Sequence, residues 1–230
     1  MNAPLTGPPP SSPDQTSRSA LLPITPSSEH GHTSLRLRNT HHSLGSLPSN
    51  AILLHACNCA GKSGRGIAKA IARTYPKAEA VYARHCRRNS PEALIGQCLL
   101  IQPQPGEREE VWIACLFTSK GYGKRTARQQ GRDQPKVILA QTRRALLDLR
   151  GQLDKYAASS LDLDVGERGE LEASGETPLS ARARKPEMQI YSPRFNSGLF
   201  AVPWHETEGT VVEVFAGWSG SWYILPDPSA

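Results

Sequence analysis

Residues 55–68 have the sequence HACNCAGKSGRGIA. They continue an apolar run that begins at Ala51, and they lead into residues 64–75, whose apolar positions recur at helical spacing. The order is strand, glycine-rich loop and helix N-terminus. Glycines let a backbone approach a ligand closely, and the free N–H groups of a first helical turn attract anions. We therefore predict that residues 64–67 face a diphosphate; the alternative is that the glycines only make a tight turn.

A second loop of the same kind lies near the C-terminus. Residues 195–201, Phe-Asn-Ser-Gly-Leu-Phe-Ala, follow a predicted strand and precede a helix that begins at Pro203 and Trp204. Two such loops at one edge of a sheet can clamp one ligand between them.

The rest of the chain alternates between predicted strands and helices, which indicates an α/β sandwich. Apolar runs predict strands, and apolar residues at helical spacing predict helices. The strands are expected at residues 51–55, 94–101, 111–118, 188–191 and 221–225, and the helices at residues 64–75, 77–87, 134–149 and 204–215.

Two segments lack this periodicity. Residues 1–48 are rich in Pro, Ser, Thr and His, and we expect a disordered tail with one short ordered piece near residues 35–37. Residues 151–186 are polar, with little periodicity, and are expected to form a solvent-exposed insertion within a single domain that spans residues 49–226.

The net charge of +6 is concentrated near the first loop, because residues 62–88 contain eight Lys or Arg and one acid, Glu79. This excess suits an anionic ligand, although a solvated basic helix face is the alternative. Nucleic acid is not expected as a partner, because no aromatic residues are interleaved with the charges.

The cysteines and the apolar segments indicate where the protein works. Five cysteines, an odd number, in a chain without a secretory signal argue for reduced thiols rather than a disulfide framework. No run approaches the roughly 20 apolar residues that span a bilayer. We therefore expect a soluble intracellular protein, cytoplasmic, nuclear or both, that does not bind membranes.

These motifs resemble a known family, the fungal type of the ADP-ribose 1''-phosphate phosphatase branch of the macrodomains. The resemblance rests on His-x-Cys-Asn-Cys from His55, on Gly-x-Gly-Ile-Ala from Gly64, and on Asn-Ser-Gly-Leu-Phe-x-Val-Pro-Trp from Asn196. Residues 75–78, 94–100 and 115–119 agree with it as well, so that it covers about residues 51–225.

The resemblance implies a three-layer α/β/α fold with a mixed central sheet. It also implies an enzyme, a phosphatase that hydrolyses ADP-ribose 1''-phosphate, a by-product of tRNA splicing, to ADP-ribose and phosphate. We expect a monomer that needs no cofactor and no metal. The alternatives are a mono-ADP-ribosyl-protein hydrolase and a non-catalytic ADP-ribose-binding reader, both with ADP-ribosylated proteins as partners.

The resemblance also assigns residues to the site. Ala56, Cys57 and Asn58 would line the distal ribose. The diphosphate would be wrapped by Ser63, Gly64, Arg65, Gly66, Ile67 and Ala68, and covered from the other side by Phe195, Asn196, Ser197, Gly198, Leu199, Phe200 and Ala201. Phe200 would pack on the distal ribose or, alternatively, belong to the core.

Asn58 and His55 are the predicted catalytic residues. The Asn58 amide can both donate and accept hydrogen bonds, so it can fix ribose hydroxyls and position the anomeric phosphate; the alternative is an Asn that holds its own loop. His55 can act as acid or base, or can be a structural histidine at a strand end. A thiol nucleophile or a metal pair at Cys57 and Cys59 is rejected, because neither a cysteine-phosphatase loop nor a four-ligand zinc pattern is present.

The sequence departs from the family in the segment before Ala51, which has no clear Gly-Asp pair of the kind that contributes to adenine binding. Protein-directed hydrolases of the family usually carry an Asp in one of the two loops, and neither loop has one here. This favours the phosphatase. Lys120, Lys124 and Arg125 follow a predicted strand and either add positive charge near the phosphate or are solvated.

Overall fold

A six-stranded mixed sheet forms the centre of the computed structural model, which describes residues 35–107, 110–127, 130–171 and 188–227. In chain order the strands are β1 (Leu37–Asn39), β2 (Ile52–Asn58), β3 (Cys98–Ile101), β4 (Trp112–Ser119), β5 (Gln189–Ser192) and β6 (Ser221–Ile224). The helices are α1 (Gly66–Thr74), α2 (Pro76–Arg88), α3 (Pro91–Leu94), α4 (Pro135–Leu171) and α5 (Trp204–Val214).

The sheet has the order β1-β6-β5-β2-β4-β3, and every pair is parallel except β3 with β4. Alternation along β2 turns Leu53 and Cys57 toward α1 and α2, and Ile52 and Leu54 toward α4 and α5. Because helices cover both faces, β2 is an almost continuous apolar run. The predicted three-layer α/β/α class with a mixed sheet is confirmed.

The start of the folded region differs from the prediction. β1 pairs with β6, Leu47 is 2% exposed in the core, and the Tyr75 hydroxyl donates a 2.7 Å hydrogen bond to the Leu44 carbonyl. Residues 35–48 therefore belong to the domain, and the predicted tail boundary at residue 48 is wrong. Three strand residues are too few to show an alternating pattern. The rest of that tail, residues 1–34, lies outside the described residues.

Helix α4 continues beyond its predicted end at residue 149. Gly151 lies inside the helix, and Leu153 is 2% exposed in the same core cluster as Leu149, one helical turn earlier. The first part of the predicted insertion, residues 151–171, is thus helical, and residues 172–187 lie outside the described residues. Burial of one further turn outweighs the roughly 1 kcal/mol that a glycine costs a helix.

The predicted strand at residues 94–101 is too long. Ser90 accepts a hydrogen bond from the Ala93 N–H as an N-cap, and Pro91 occupies the first position of α3, which ends at Leu94. Strand β3 begins only at Cys98. A short capped helix therefore replaces the first half of the predicted strand.

The strand order indicates which edge of the sheet is the candidate position for ligand binding. From β2 the chain crosses to β3 at the edge of the sheet and turns back into β4, which lies beside β2. From β4 it returns through α4 to β5 on the other side of β2. Ligands of open α/β sheets bind at the carboxyl ends of the strands where the direction of winding reverses. That position here is the end of β2 beside β5. Among the described residues, none of the helices combines the length and apolar character that a membrane crossing requires.

Candidate functional site

The N-terminus of α1 lies at this edge and has no side-chain cap. Its N-cap residue is Arg65, whose side chain has no acceptor atom, and its first turn contains no acid. Lys62 and Arg65 are exposed beside it. The free N–H groups of the first turn, the positive end of the helix dipole and the charges of Lys62 and Arg65 therefore lie together. A bound anion would stabilise this arrangement.

Asn58, at the end of β2, holds the first loop, which we define as residues 59–65. Its Nδ2 donates to the Lys62 carbonyl at 2.8 Å, and its Oδ1 accepts from the Ala60 N–H at 2.9 Å. The Tyr82 hydroxyl donates to the Asn58 carbonyl at 2.6 Å. The structure thus shows the loop-holding alternative, yet the amide keeps one N–H and one lone pair for a ligand.

Ser63 joins the first loop to α2. Its hydroxyl donates to Glu79 Oε2 at 2.8 Å. Burial raises the pKa of the Glu79 carboxyl, and the hydrogen bond from Ser63 partly opposes that effect. The hydroxyl of Ser63 is therefore bonded to α2. Ser63 can make the predicted contact with a diphosphate only through its main chain.

Asn196 anchors the second loop, which we define as residues 193–203. The side chain is buried, with Oδ1 accepting from Thr118 Oγ1 at 3.2 Å and Nδ2 donating to Thr142 Oγ1 at 2.8 Å. Its φ is +65°, a left-handed conformation that Asn tolerates better than most residues. The second loop is therefore fixed to the end of β4 and to α4.

The other predicted residues of the second loop divide between core and surface. Phe195 is 3% exposed and packs edge-on against Trp204, with 5.9 Å between ring centroids, so its ring belongs to the core. Phe200 is half-buried and Ala201 is exposed with a φ of +56°. The exposed residues of the turn are Ser197, Gly198 and Leu199, of which Leu199 is 57% exposed.

The two loops lie close together. A Cβ built on Gly66 would lie 3.7 Å from Leu199 Cδ1, and Arg132 Nη1 donates to the Leu199 carbonyl at 2.7 Å. The two loops are therefore neighbours at this edge of the sheet, and we call the surface that they share the crevice. Sequence reasoning missed Arg132, Thr118 and Thr142. Only Thr118 carried a signal, because it lies one residue before the end of β4, at the same edge as Asn58.

His55 does not lie in this crevice. It is 3% exposed on the sheet face that α1 and α2 cover, with its Nε2 3.4 Å from Cys57 Sγ and 3.6 Å from Cys115 Sγ. This burial favours the structural alternative over the predicted acid or base. Burial raises the pKa of the Cys57 thiol, whereas a hydrogen bond from Cys57 lowers that of Cys115.

The remaining predicted residues around β2 contribute in different ways. Ala56 is half-buried on the opposite face of the strand, so it offers main chain rather than a side chain to a ribose. The ammonium group of Lys120 forms an ion pair with Glu92 at 3.0 Å, so the charge of Lys120 is already balanced by a carboxylate. Lys124 and Arg125 are exposed.

A cavity opens beside α1 at the carboxyl ends of β1 and β6. Its walls include the apolar side chains of Leu44, Ile67 and Leu225 and the polar residues His42 and Asp227. Ile67 belongs to the first turn of α1, so the cavity adjoins the candidate anion site. One wall comes from the ordered segment before residue 48, of which the sequence predicted only a short piece near residues 35–37.

Fold and site together define a three-layer α/β/α module with a candidate anion site between two loops at the sheet's switch point. The macro domain family model matches residues 54–211. The chain is 34% identical over 193 residues to the ADP-ribose 1''-phosphate phosphatase of Neosartorya fischeri, covering 72% of this chain and 83% of that protein. It is 34% identical over 175 residues to the protein of the same name from Debaryomyces hansenii, covering 73% and 84%. This chain belongs to the macro domain family.

Solved structures show the same fold. The macrodomain of Mycobacterium tuberculosis DarG superposes with a TM-score of 0.54 at 18% identity, covering 84% of this chain and 98% of that one. The macrodomain of Thermus aquaticus DarG gives a TM-score of 0.52 at 19% identity, covering 84% and 99%. These structures confirm the fold, and the family model and the fungal relatives confirm the resemblance inferred from the motifs.

Proposed function

We propose that this protein is an ADP-ribose 1''-phosphate phosphatase, which releases inorganic phosphate and ADP-ribose from a by-product of tRNA splicing. The observation that carries the proposal is the uncapped, basic N-terminus of α1 facing the second loop across a crevice. The fungal relatives with that name support the choice of substrate.

The substrate fits the crevice with its diphosphate at the first turn of α1. Main-chain N–H groups of residues 64–68 would bind the diphosphate oxygens, with Lys62 and Arg65 adding positive charge. The adenine would enter the cavity between Leu44, Ile67 and Leu225, where apolar side chains can pack on its faces. The distal ribose and its phosphate would then lie over Asn58.

The reaction breaks the bond between phosphorus and the oxygen on C1'' of the ribose. A water molecule attacks the phosphorus, and a proton of that water ends on the released oxygen of C1'', which becomes the hydroxyl of ADP-ribose. Main-chain N–H groups stabilise the charge that develops on the phosphoryl oxygens. The free N–H and the free lone pair of the Asn58 amide would orient the ribose hydroxyls and the phosphate. This mechanism uses fixed dipoles, so turnover should survive a chelator, whereas strict dependence on an added metal would contradict it.

The alternatives use the same crevice. Neither residues 58–68 nor residues 193–203 contain Asp or Glu, which disfavours a mono-ADP-ribosyl-protein hydrolase that activates water with a loop carboxylate. A non-catalytic reader needs only the binding groups, so measuring turnover separates it from the phosphatase. We further propose that the protein is a monomer. We also propose that it works in the cytoplasm or nucleus, because all five cysteines are free, as in a reducing compartment.

The Asn58→Asp substitution tests the placement of the phosphate. The carboxylate would lose the donor to the Lys62 carbonyl and would place negative charge beside an anion. We expect kcat/KM to fall about 100-fold, equivalent to about 3 kcal/mol of transition-state stabilisation. The matched control is Asn89→Asp at the exposed end of α2, which should leave kcat/KM unchanged. Equal activities in both variants would remove Asn58 from the site.

A further inference from the structure

Arg132 and the apolar cavity lie on opposite sides of β2. The cavity opens at the carboxyl ends of β1 and β6, which stand at one end of the strand order β1-β6-β5-β2-β4-β3. Arg132 belongs to the segment between β4 and α4, beyond β2 in that order. A nucleotide with its base in the cavity and its diphosphate at α1 therefore extends its other end toward Arg132.

The segment that carries Arg132 is held at the end of β4. We define it as the third loop, residues 120–127 and 130–134. The Asp133 N–H donates to Ser119 Oγ at 2.9 Å, so the residue after Arg132 is bonded to the last residue of β4. Ser119 is also the register partner of Asn58, the last residue of β2. Arg132 is thus connected through two contacts to the strand end where Asn58 holds the first loop.

The guanidinium of Arg132 contacts the second loop. Its Nη1 donates to the Leu199 carbonyl at 2.7 Å, and the Leu199 side chain approaches Gly66 at the N-terminus of α1. A guanidinium has five N–H donors, and this bond uses one of them. Arg132 is exposed and, among the residues that the structure describes, it forms no ion pair with a carboxylate. Its charge therefore remains available to an anion, whereas that of Lys120 is balanced by Glu92.

We propose that Arg132 binds the terminal phosphate of ADP-ribose 1''-phosphate and makes the protein prefer this nucleotide to ADP-ribose. The inference rests on the proposed function, in which the distal ribose and its phosphate lie over Asn58. A phosphate monoester carries a charge of roughly −1.5 to −2 at pH 7, whereas ADP-ribose has a neutral hydroxyl on the same carbon. A guanidinium can bind two phosphate oxygens at once, so its contact discriminates between the two nucleotides.

The same contact would assist the reaction. Arg132 can keep its bond to the Leu199 carbonyl while its other N–H groups bind the phosphate, so the second loop need not rearrange. A fixed cation stabilises the charge that develops on the phosphoryl oxygens during attack by water. The guanidinium stays protonated throughout, so Arg132 takes no part in proton transfer.

Arg132→Gln tests this assignment, because Gln keeps an N–H donor but carries no charge. We expect kcat/KM for phosphate release to fall about 100-fold, while the Kd of ADP-ribose in calorimetry changes less than about threefold. Inhibition by inorganic phosphate should weaken as well. Arg132→Lys keeps the charge without the bidentate geometry and should lose about tenfold in kcat/KM. Arg36→Gln is the matched control and should change none of these values, because Arg36 is exposed and precedes β1 at the opposite edge of the sheet.

The outcomes separate this inference from the proposed function. If Arg132→Gln retains the wild-type kcat/KM, the inference is overturned and the phosphatase stands. Equal losses of kcat/KM and of ADP-ribose affinity would also overturn it, because they would show that Arg132 only holds the second loop.

If the wild-type protein releases no phosphate, the proposed function fails, and calorimetric titration with intact ADP-ribose 1''-phosphate then tests Arg132. Tighter binding of this nucleotide than of ADP-ribose, lost in Arg132→Gln, would support the contact. Equal binding of the two nucleotides by the wild-type protein would overturn it.

Discussion

Replacing Asn196 by Ala should destabilise the protein by about 3 kcal/mol. The substitution leaves the hydroxyl of Thr118, which is 0% exposed, without the acceptor that Asn196 provides, at a cost of about 1–2 kcal/mol. Thr142 loses one partner but still donates to the Ile138 carbonyl at 2.8 Å, so its share is smaller, about 0.5 kcal/mol. Alanine at a φ of +65° adds about 1 kcal/mol of backbone strain.

Urea denaturation followed by tryptophan fluorescence measures this free energy, provided that the slope of the transition stays constant. Asn196→Gly removes the same hydrogen bonds without the strain, so it should be about 1 kcal/mol less destabilising than Asn196→Ala. Ser197→Ala, at the exposed next residue, should change stability by less than about 0.5 kcal/mol. A loss below about 1 kcal/mol for Asn196→Ala would refute the view that this residue anchors the second loop.

Three further predictions concern other parts of the structure. Gly66→Ala should weaken ADP-ribose binding in calorimetry and cost about 1 kcal/mol of stability, because its φ is +56° and its Cβ would approach Leu199. Glu79→Gln should become more stable relative to wild type as pH rises from about 4.5. Burial raises the folded-state pKa of the Glu79 carboxyl, so the stability that this carboxyl contributes is fully present below its unfolded pKa and is lost as pH rises through its folded pKa. Leu153→Ala should cost about 2–4 kcal/mol in urea denaturation if α4 packs as described, and an exposed insertion would predict almost none.

The sequence predicted the fold where pattern and packing agree. Strand β2, the glycine-rich loop and α1 could be located because an apolar run, glycines and helical spacing follow one another, and the second loop showed the same order before α5. The class of the fold followed from this alternation.

Where tertiary contacts decide, the sequence was a weaker guide. β1 exists because β6 offers it a parallel partner, and three residues alone have no pattern. Gly151 normally disfavours a helix, but the burial of Leu153 carries α4 past it. The apolar run before His55 fits a strand that is covered on both faces, but the side chains that His55 meets there depend on the assembled sheet.

The side chains that hold the site were also hard to predict. Thr142 lies within a helix and contacts Asn196 across 54 residues, so its role depends on the assembled fold. Asn58 was identified, but its engagement with Lys62 and Ala60 became visible only in three dimensions.

Phosphate release from ADP-ribose 1''-phosphate tests the central claim most directly. The wild-type protein is incubated with this substrate with and without a chelator, and phosphate is measured beside a calorimetric titration with ADP-ribose. We predict one phosphate released for each ADP-ribose formed, unchanged by the chelator, together with micromolar or tighter binding of ADP-ribose. Binding of ADP-ribose without phosphate release would contradict the phosphatase and make the protein a reader.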